Sequence, residues 1–225
     1  MMYLSINKVS KIIKKNQILN QVDFSVKKNS IFGIIGNNGA GKSTLLKIIA
    51  TVTPTTQGTV TLDEKKVLQE DKSVQRRISY FIDHLPPEND LTGEEYVVIY
   101  LTYKGINDIK SILKREWPFS MEAHRHKKIK TYSQGMKQKL GIIAATIGQQ
   151  ELIILDEPHN SLDPRSTIQL REYLKQLISG GSTIILTSHT LTEITTVCDN
   201  VLVLEKGNIK GILQNNELEN LEQLL

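Results

Sequence analysis

The chain of 225 residues contains one cysteine, Cys198, so no disulfide can close within it. It also lacks any apolar run near the roughly 20 residues that a helix needs to cross a bilayer. Its longest apolar stretches, such as Leu152–Leu155 and Val201–Leu204, are strand-sized. The opening residues, Met1-Met2-Tyr3-Leu4-Ser5-Ile6-Asn7, do not follow the charged-then-apolar order of a secretory signal. Together these absences predict a cytoplasmic chain that reaches a membrane only through a partner. Cys198, just ahead of an apolar strand, is expected to be a small buried residue. Aromatic residues make up only 5% of the chain, and none interleaves the basic run His124-Arg125-His126-Lys127-Lys128-Ile129-Lys130. A base-stacking surface is therefore not expected there, nor a nucleic-acid partner; the run reads as solvated surface. His124 and His126 are read as lacking a nearby carboxylate or thiolate, which makes a poor metal site.

The glycines that are present do more. Residues 36–44 read Gly36-Asn37-Asn38-Gly39-Ala40-Gly41-Lys42-Ser43-Thr44, after the apolar run Ile31–Ile35 and before Leu45-Leu46-Lys47-Ile48-Ile49. This is a phosphate-binding P-loop placed between a strand and a helix. The glycines let backbone N–H groups turn inward around a β-phosphate, Lys42 reaches the β- and γ-phosphates, and Ser43 offers a hydroxyl to Mg²⁺. The helix N-terminus that follows adds further N–H donors and a favourable dipole. A nucleoside triphosphate is the expected ligand.

Hydrophobic content of 39% and charged content of 23% are those of a globular protein with a full core, and the net charge of +4 is mild. Tyr3–Val9, Val22–Val26 and Thr59–Leu62 read as short antiparallel strands, and Pro54-Thr55-Thr56-Gln57-Gly58 as a turn. Glu94–Tyr103 and Asn107–Glu116 read as helices, broken by Pro118; they mark a small helical insertion, bounded at 84–134. Alternation then resumes with strand Leu152–Leu155, helix Pro164–Ile178, strand Thr183–Leu186 and helix Leu191–Val197. A strand pair, Val201–Leu204 and Ile209–Leu213, closes around Glu205-Lys206-Gly207-Asn208, and Asn215–Leu225 reads as a short amphipathic helix. Continuous apolar strands predict a sheet covered by helices on both faces. The fold expected is α/β: a P-loop NTPase core with a mostly parallel sheet, an N-terminal antiparallel β-subdomain and a short inserted helical subdomain, all one domain over 1–225.

Four further motifs follow in order. Tyr132-Ser133-Gln134-Gly135-Met136-Lys137-Gln138-Lys139-Leu140 resembles the ABC signature, and Leu152-Ile153-Ile154-Leu155-Asp156-Glu157-Pro158 resembles Walker B with its glutamate. Ser161-Leu162-Asp163 is similar to the D-loop, and Thr187-Ser188-His189 to the H-loop. Across essentially its whole length the chain resembles the ATP-binding subunits of ABC transporters.

That resemblance implies ATP and Mg²⁺ as ligands and a division of labour. Phosphoryl transfer to water needs positioning and charge neutralisation more than covalent chemistry. Asp156 would hold Mg²⁺ with Ser43, Glu157 would orient or activate the attacking water, and His189 would touch the γ-phosphate. Ser133, Gln134 and Gly135, opening a helix, would meet nucleotide held by the P-loop of a second subunit, with Asp163 lining the interface. Two ATP molecules would then lie between two head-to-tail subunits. Two positions depart from the family pattern. Ile13 stands where an aromatic residue usually stacks on adenine, and Asp83 stands where the Q-loop glutamine usually contacts Mg²⁺. His159 stands where the family often has threonine and is given no catalytic role. The motif spellings look most like exporter ATPases that pair with a separate integral membrane permease, which places the chain peripherally on the inner face of the cell membrane. The alternatives are an importer ATPase or a soluble ABC ATPase of iron–sulfur assembly, translation or DNA maintenance.

Overall fold

Two sheets share the chain, and the first begins with a hairpin. Strands β1 (Met2–Ile13) and β2 (Asn16–Lys27) pair antiparallel across Lys14-Lys15. Both turn residues have positive φ, 46° and 71°, the handedness that a two-residue type I′ connection requires. The chain continues through β3 (Ile31–Ile35), α1 (Lys42–Ile49), β4 (Gln57–Leu62), β5 (Lys65–Lys66), α2 (Lys72–Arg77) and β6 (Ile78–Phe81). Next come α3 (Gly93–Tyr103), α4 (Ile109–Leu113) and three short 3₁₀ turns, followed by α5 (Gln134–Thr146). The order ends with β7 (Leu152–Leu155), α6 (Pro164–Ser179), β8 (Thr183–Ser188), α7 (Leu191–Thr195), β9 (Asn200–Glu205) and β10 (Asn208–Gln214). This computed structural model describes residues 2–69, 71–81, 90–115, 117–148, 150–215 and 217.

The smaller sheet runs β2-β1-β4-β5 and is antiparallel; the larger runs β10-β9-β3-β8-β7-β6. In the larger sheet every pairing is parallel except that of β10 with β9. Parallel strands bring their C-terminal ends to one edge, which is where α/β sheets bind ligands. The ends of β3, β7 and β8 therefore present the P-loop, Asp156 and His189 side by side.

Each apolar strand divides its side chains between two cores, because alternate residues point to opposite faces. Ile153, Leu155, Ile184, Leu186, Val201 and Val203 enter one core, with Leu140 and Ile143 of α5 and Leu170 and Leu174 of α6. Leu152, Ile154, Ile185, Leu202 and Leu204 enter the other, with Leu45, Leu46 and Ile49 of α1 and with Leu4, Ile6 and Val22 of the hairpin. Both faces are covered, as the unbroken apolar runs predict. The second face, however, is covered by the antiparallel sheet as well as by a helix, and no strand pattern distinguishes those two covers.

Between α3 and α5 the chain contributes to the first core rather than forming its own. Val97, Leu101, Ile112, Trp117, Met121 and Ile129 are buried in the same cluster as α5 and α6. Thr92 starts α3 with a capping box, its hydroxyl accepting from Glu95 N while the Glu95 carboxylate accepts from Thr92 N. The second helix of this stretch is shorter than its expected Asn107–Glu116, because Asp108 caps it at Ser111 and it ends at Leu113. Most of the basic run is exposed, as expected, but it is not free of carboxylates. Arg125 pairs with Glu94 and Glu122 and lies 5.4 Å over the Trp117 ring, and His126 has Glu94 as a carboxylate neighbour at 3.9 Å. Cys198 is buried against Gly33 and Ile194, and desolvation pushes its thiol pKa up. The C-terminal tail expectation, Asn215–Leu225, falls almost entirely outside the described residues.

Candidate functional site

β3 stops at Ile35 and the chain turns at Gly36, where only glycine fits. A Cβ there would stand 2.1 Å from the carbonyl oxygen of Leu204, a backbone atom that cannot swing aside. Gly41 combines φ +107° with a Cβ position 2.8 Å from Leu19 Cδ2. As N-cap of α1 it makes no side-chain hydrogen bond, so no side chain takes the first-turn amides of the helix. Lys42 opens that helix at 6% exposure, its Nζ donating to the Gly36 carbonyl at 2.6 Å. A cavity of about 510 Å³ lies over this turn, lined by residues 37–44 together with Ile18, Glu157, Asn160 and His189. A turn whose glycines carry no Cβ, an uncapped helix N-terminus and a buried ammonium fit a polyphosphate.

The acidic half of the site comes from β7 and β8. Asp156 is buried where β7 ends, and its Oδ1 accepts from the Thr187 hydroxyl at 2.7 Å. The same hydroxyl accepts from Glu157 N at 2.9 Å, so one β8 side chain sets both consecutive acids. Glu157 has φ +50°, uncommon for a residue with a side chain. Such strain persists only where the surroundings over-determine it. Here the amide is held by Thr187 and the carbonyl accepts from Gln138 Nε2 of α5 at 3.1 Å. The carboxylate bridges two groups, with Oε1 at 3.4 Å from Lys42 Nζ and Oε2 at 3.0 Å from His189 Nδ1. Lysine, glutamate and histidine thus meet at one wall of the cavity.

Ser133, Gln134, Gly135 and Asp163 do not line that cavity. Ser133 is the N-cap of α5, exposed, its Oγ accepting from Met136 N at 3.2 Å. Gly135 passes close to the turn of the next motif, since a Cβ there would sit 2.7 Å from Ser161 O. Asp163 caps α6 by accepting from Ser166, and those hydrogen bonds, the hydroxyl's first, hold its carboxyl down at about 2. Lys139 of α5 lies 3.7 Å from the same carboxylate. Ile13 ends β1 at 43% exposure and is likewise absent from the cavity lining; Ile18, on the return strand, takes the place beside Gly41. Asp83 lies outside the described residues. Of the residues that meet around the site, sequence reading assigned no role to Ile18, Asn160, Gln138 or Thr187. Only the last two carried a signal, being polar residues inside motifs named for other reasons.

The family described as ABC transporter matches residues 19–160, well over half of the chain. The chain belongs to the ABC transporter family. A shorter match, to an AAA domain family, covers residues 128–194. Among ABC relatives, the lantibiotic transport ATP-binding protein SrtF of Streptococcus pyogenes is 32% identical over 221 residues, 98% of this chain and 95% of that protein. The bacitracin transport ATP-binding protein BcrA of Enterococcus faecalis is 32% identical over 202 residues, 89% of this chain and 66% of that protein. Among solved structures, an ATP-binding subunit of an ABC transporter superposes with a TM-score of 0.88 at 26% identity, covering 99% of this chain and 94% of that one. The mixed architecture of one antiparallel and one largely parallel sheet is thus that of ABC ATP-binding proteins. No helix among the described residues is long and apolar enough to cross a membrane.

Proposed function

We propose that this ABC protein hydrolyses ATP to drive a separate membrane permease, and that it does so as one of a pair of head-to-tail subunits. The observation that carries the reading is the single wall on which Lys42, Glu157 and His189 meet beside the P-loop. ATP is the substrate, with residues 36–44 holding its phosphates. Mg²⁺ would be held by the Ser43 hydroxyl and the Asp156 carboxylate and would neutralise charge on the phosphates. That donor set suits a metal that keeps waters and substrate oxygens in its shell. Glu157 holds its carboxylate toward the cavity as the acceptor for a water proton, and His189 orients that carboxylate. Lys42 sits against Glu157 and Gly36, so a phosphate group entering the cradle competes with them for its ammonium.

The exposed signature supports the paired arrangement. α5 offers a second helix N-terminus at Ser133–Gly135, but it lies outside the cavity of its own chain, so a nucleotide it contacts is held by another subunit. Export is the direction we favour, since the relatives SrtF and BcrA carry lantibiotic and bacitracin transport in their names. The permease would hold substrate selectivity, and the chain would sit on the inner membrane face.

The test compares two substitutions. Glu157→Gln keeps the side-chain volume and should retain ATP binding while turnover falls on the order of 10²–10⁴-fold, the range lost with a general base. Lys42→Ala should instead weaken binding at least tenfold. Calorimetric binding and phosphate-release rates measured on both decide it; near-normal turnover in Glu157→Gln sinks the assignment.

A further inference from the structure

His159, two residues beyond Glu157, is a histidine buried with nothing conventional to do. Its side chain is 2% exposed, and neither ring nitrogen has a hydrogen-bond partner within normal distance. The nearest candidate is Glu193 of α7, whose Oε2 stands 3.6 Å from His159 Nδ1. Glu193 in turn accepts from the Ser188 hydroxyl at 2.5 Å, and Ser188 is the residue before His189. The Ser188 Oγ also accepts from Thr190 N at 2.9 Å, fixing the turn on the far side of His189. Arg171 of α6 is near enough to oppose a positive charge on the ring. Burial, reinforced by Arg171 and resisted by Glu193, lowers the His159 pKa and favours the neutral ring, which has one N–H to give.

These groups form a ring with one open step, the 3.6 Å between His159 Nδ1 and Glu193 Oε2, which an Nδ1–H closes on moving a few tenths of an ångström nearer. From Glu157 the path runs along the chain to His159, across to Glu193, on to Ser188, along the chain to His189 and back to the Glu157 carboxylate. The two halves of the ring differ in rigidity. Residues 157–159 are pinned, because Gln138 donates to the carbonyls of Glu157 and Pro158 and Leu162 N donates to that of His159. The other half is built on α7, a five-residue helix whose N-cap, Thr190, makes no side-chain capping bond. So short an uncapped helix is placed by its tertiary contacts rather than by its own hydrogen bonds. Glu193 supplies a polar one, and His159 is the pinned group it faces.

We infer that His159 is a positioning residue: through Glu193 and Ser188 it holds the H-loop so that His189 stays against the Glu157 carboxylate. The inference rests on the reading of Glu157 as the group that handles water, and it predicts a loss in the chemical step rather than in nucleotide binding.

Three variants test it. His159→Leu removes the donor, Glu193→Gln removes the charge it faces from a side chain that is 24% exposed and tolerant of change, and His159→Asn keeps an N–H close to the Nδ1 position. In steady-state ATP hydrolysis, His159→Leu and Glu193→Gln should each lower kcat roughly tenfold with KM within twofold, as a displaced catalytic partner does. The double variant should be no worse than either alone, because both break one contact. His159→Asn should recover most of kcat. In ¹⁵N-histidine spectra the His189 ring signals should move in the Leu and Gln variants and return in Asn. An unchanged kcat with unmoved His189 signals in His159→Leu overturns the inference, and so does an Asn variant as slow as Leu, which leaves only a packing role. If the unaltered protein hydrolyses no ATP, the hydrolytic reading itself falls, while the His189 signals still decide whether the clamp exists.

Discussion

Two helices of this protein, α1 and α5, present their N-termini in different company. α1 starts at Gly41 with no side-chain cap, inside a cavity that also holds Lys42, Glu157 and His189. α5 starts at Ser133 with its first turn already capped by the serine hydroxyl, and it opens onto solvent. A helix N-terminus carries about half a positive charge wherever it stands. What separates the two is their company: the first opens into a cavity walled by Lys42, Glu157 and His189 of its own chain, and the second lies outside that cavity. Under the proposed function the two are halves of different sites, which is why a second subunit is expected.

The comparison can be broken hardest at Gly36. Gly36→Ala forces a Cβ to within 2.1 Å of Leu204 O, a backbone atom that cannot swing aside. The expected result is loss of measurable nucleotide binding, with overpacking costing about 1–3 kcal/mol of stability, read by calorimetry and thermal melts. Gly39→Ala sharpens the point, because nothing lies within 4 Å and only φ +81° opposes it. Its cost should be nearer the 1–2 kcal/mol of a left-handed residue, with binding weakened but present.

A smaller effect, and a more selective one, is expected at the other helix. Gly135→Ala would press Ser161 O from 2.7 Å and shift the turn that leads to Asp163. ATP affinity of the monomer should stay within about twofold, whereas dimerisation of the Glu157→Gln form should weaken tenfold or more, since association reads the displaced surface directly. Ultracentrifugation beside nucleotide titration distinguishes the two, and a fall in monomer affinity would mean that the halves are not separate.

The smallest effect concerns acid. Asp163 has its folded pKa depressed from 3.8 to about 2 by the Ser166 hydroxyl and amide. Its stabilisation is therefore present above pH 3.8 and fades as the pH falls toward 2. Asp163→Asn should flatten that part of the acid-unfolding curve monitored by circular dichroism while leaving the neutral region little changed. An unaltered slope between those two values would show that the cap hydrogen bonds are not maintained in solution.

How legible all this was depended on whether the partners of a residue lie near it in sequence. The P-loop and Walker B are contiguous, so their glycines, lysine and carboxylates could be read in place. Thr187 could not: its hydroxyl joins Asp156 to Glu157 only because β7 and β8 are neighbours in the sheet. The place of Ile18 beside Gly41 was hidden for the same reason, since the hairpin that brings it there turns on two lysines rather than on Asn-Gly. The lysine and asparagine residues of that turn also concealed how long β1 and β2 are. Helix α2, Lys72–Arg77, escaped notice because it buries one side chain, Val74, and shows no apolar period. Its start is nonetheless marked, as Asp71 accepts from Ser73 N and Val74 N. The covering of one sheet face by another sheet was not legible either, because a strand's pattern records that it is covered and not by what.

The β9–β10 turn reaches under the P-loop from outside. Gly207 N donates to the Ala40 carbonyl at 2.9 Å, and the Gly207 carbonyl accepts from Asn20 N at 2.9 Å, tying residues 20, 40 and 207 into one hydrogen-bonded line. A segment fixed in this way before its ligand arrives loses less conformational freedom when the ligand binds, by about 1–2 kcal/mol for each backbone already ordered. Under the proposed function, part of the hold on a nucleotide would be built by Asn20 and Gly207, which do not line the cavity, with a stiff hairpin on the rim of the sheet as the frame against which the loop is tensioned.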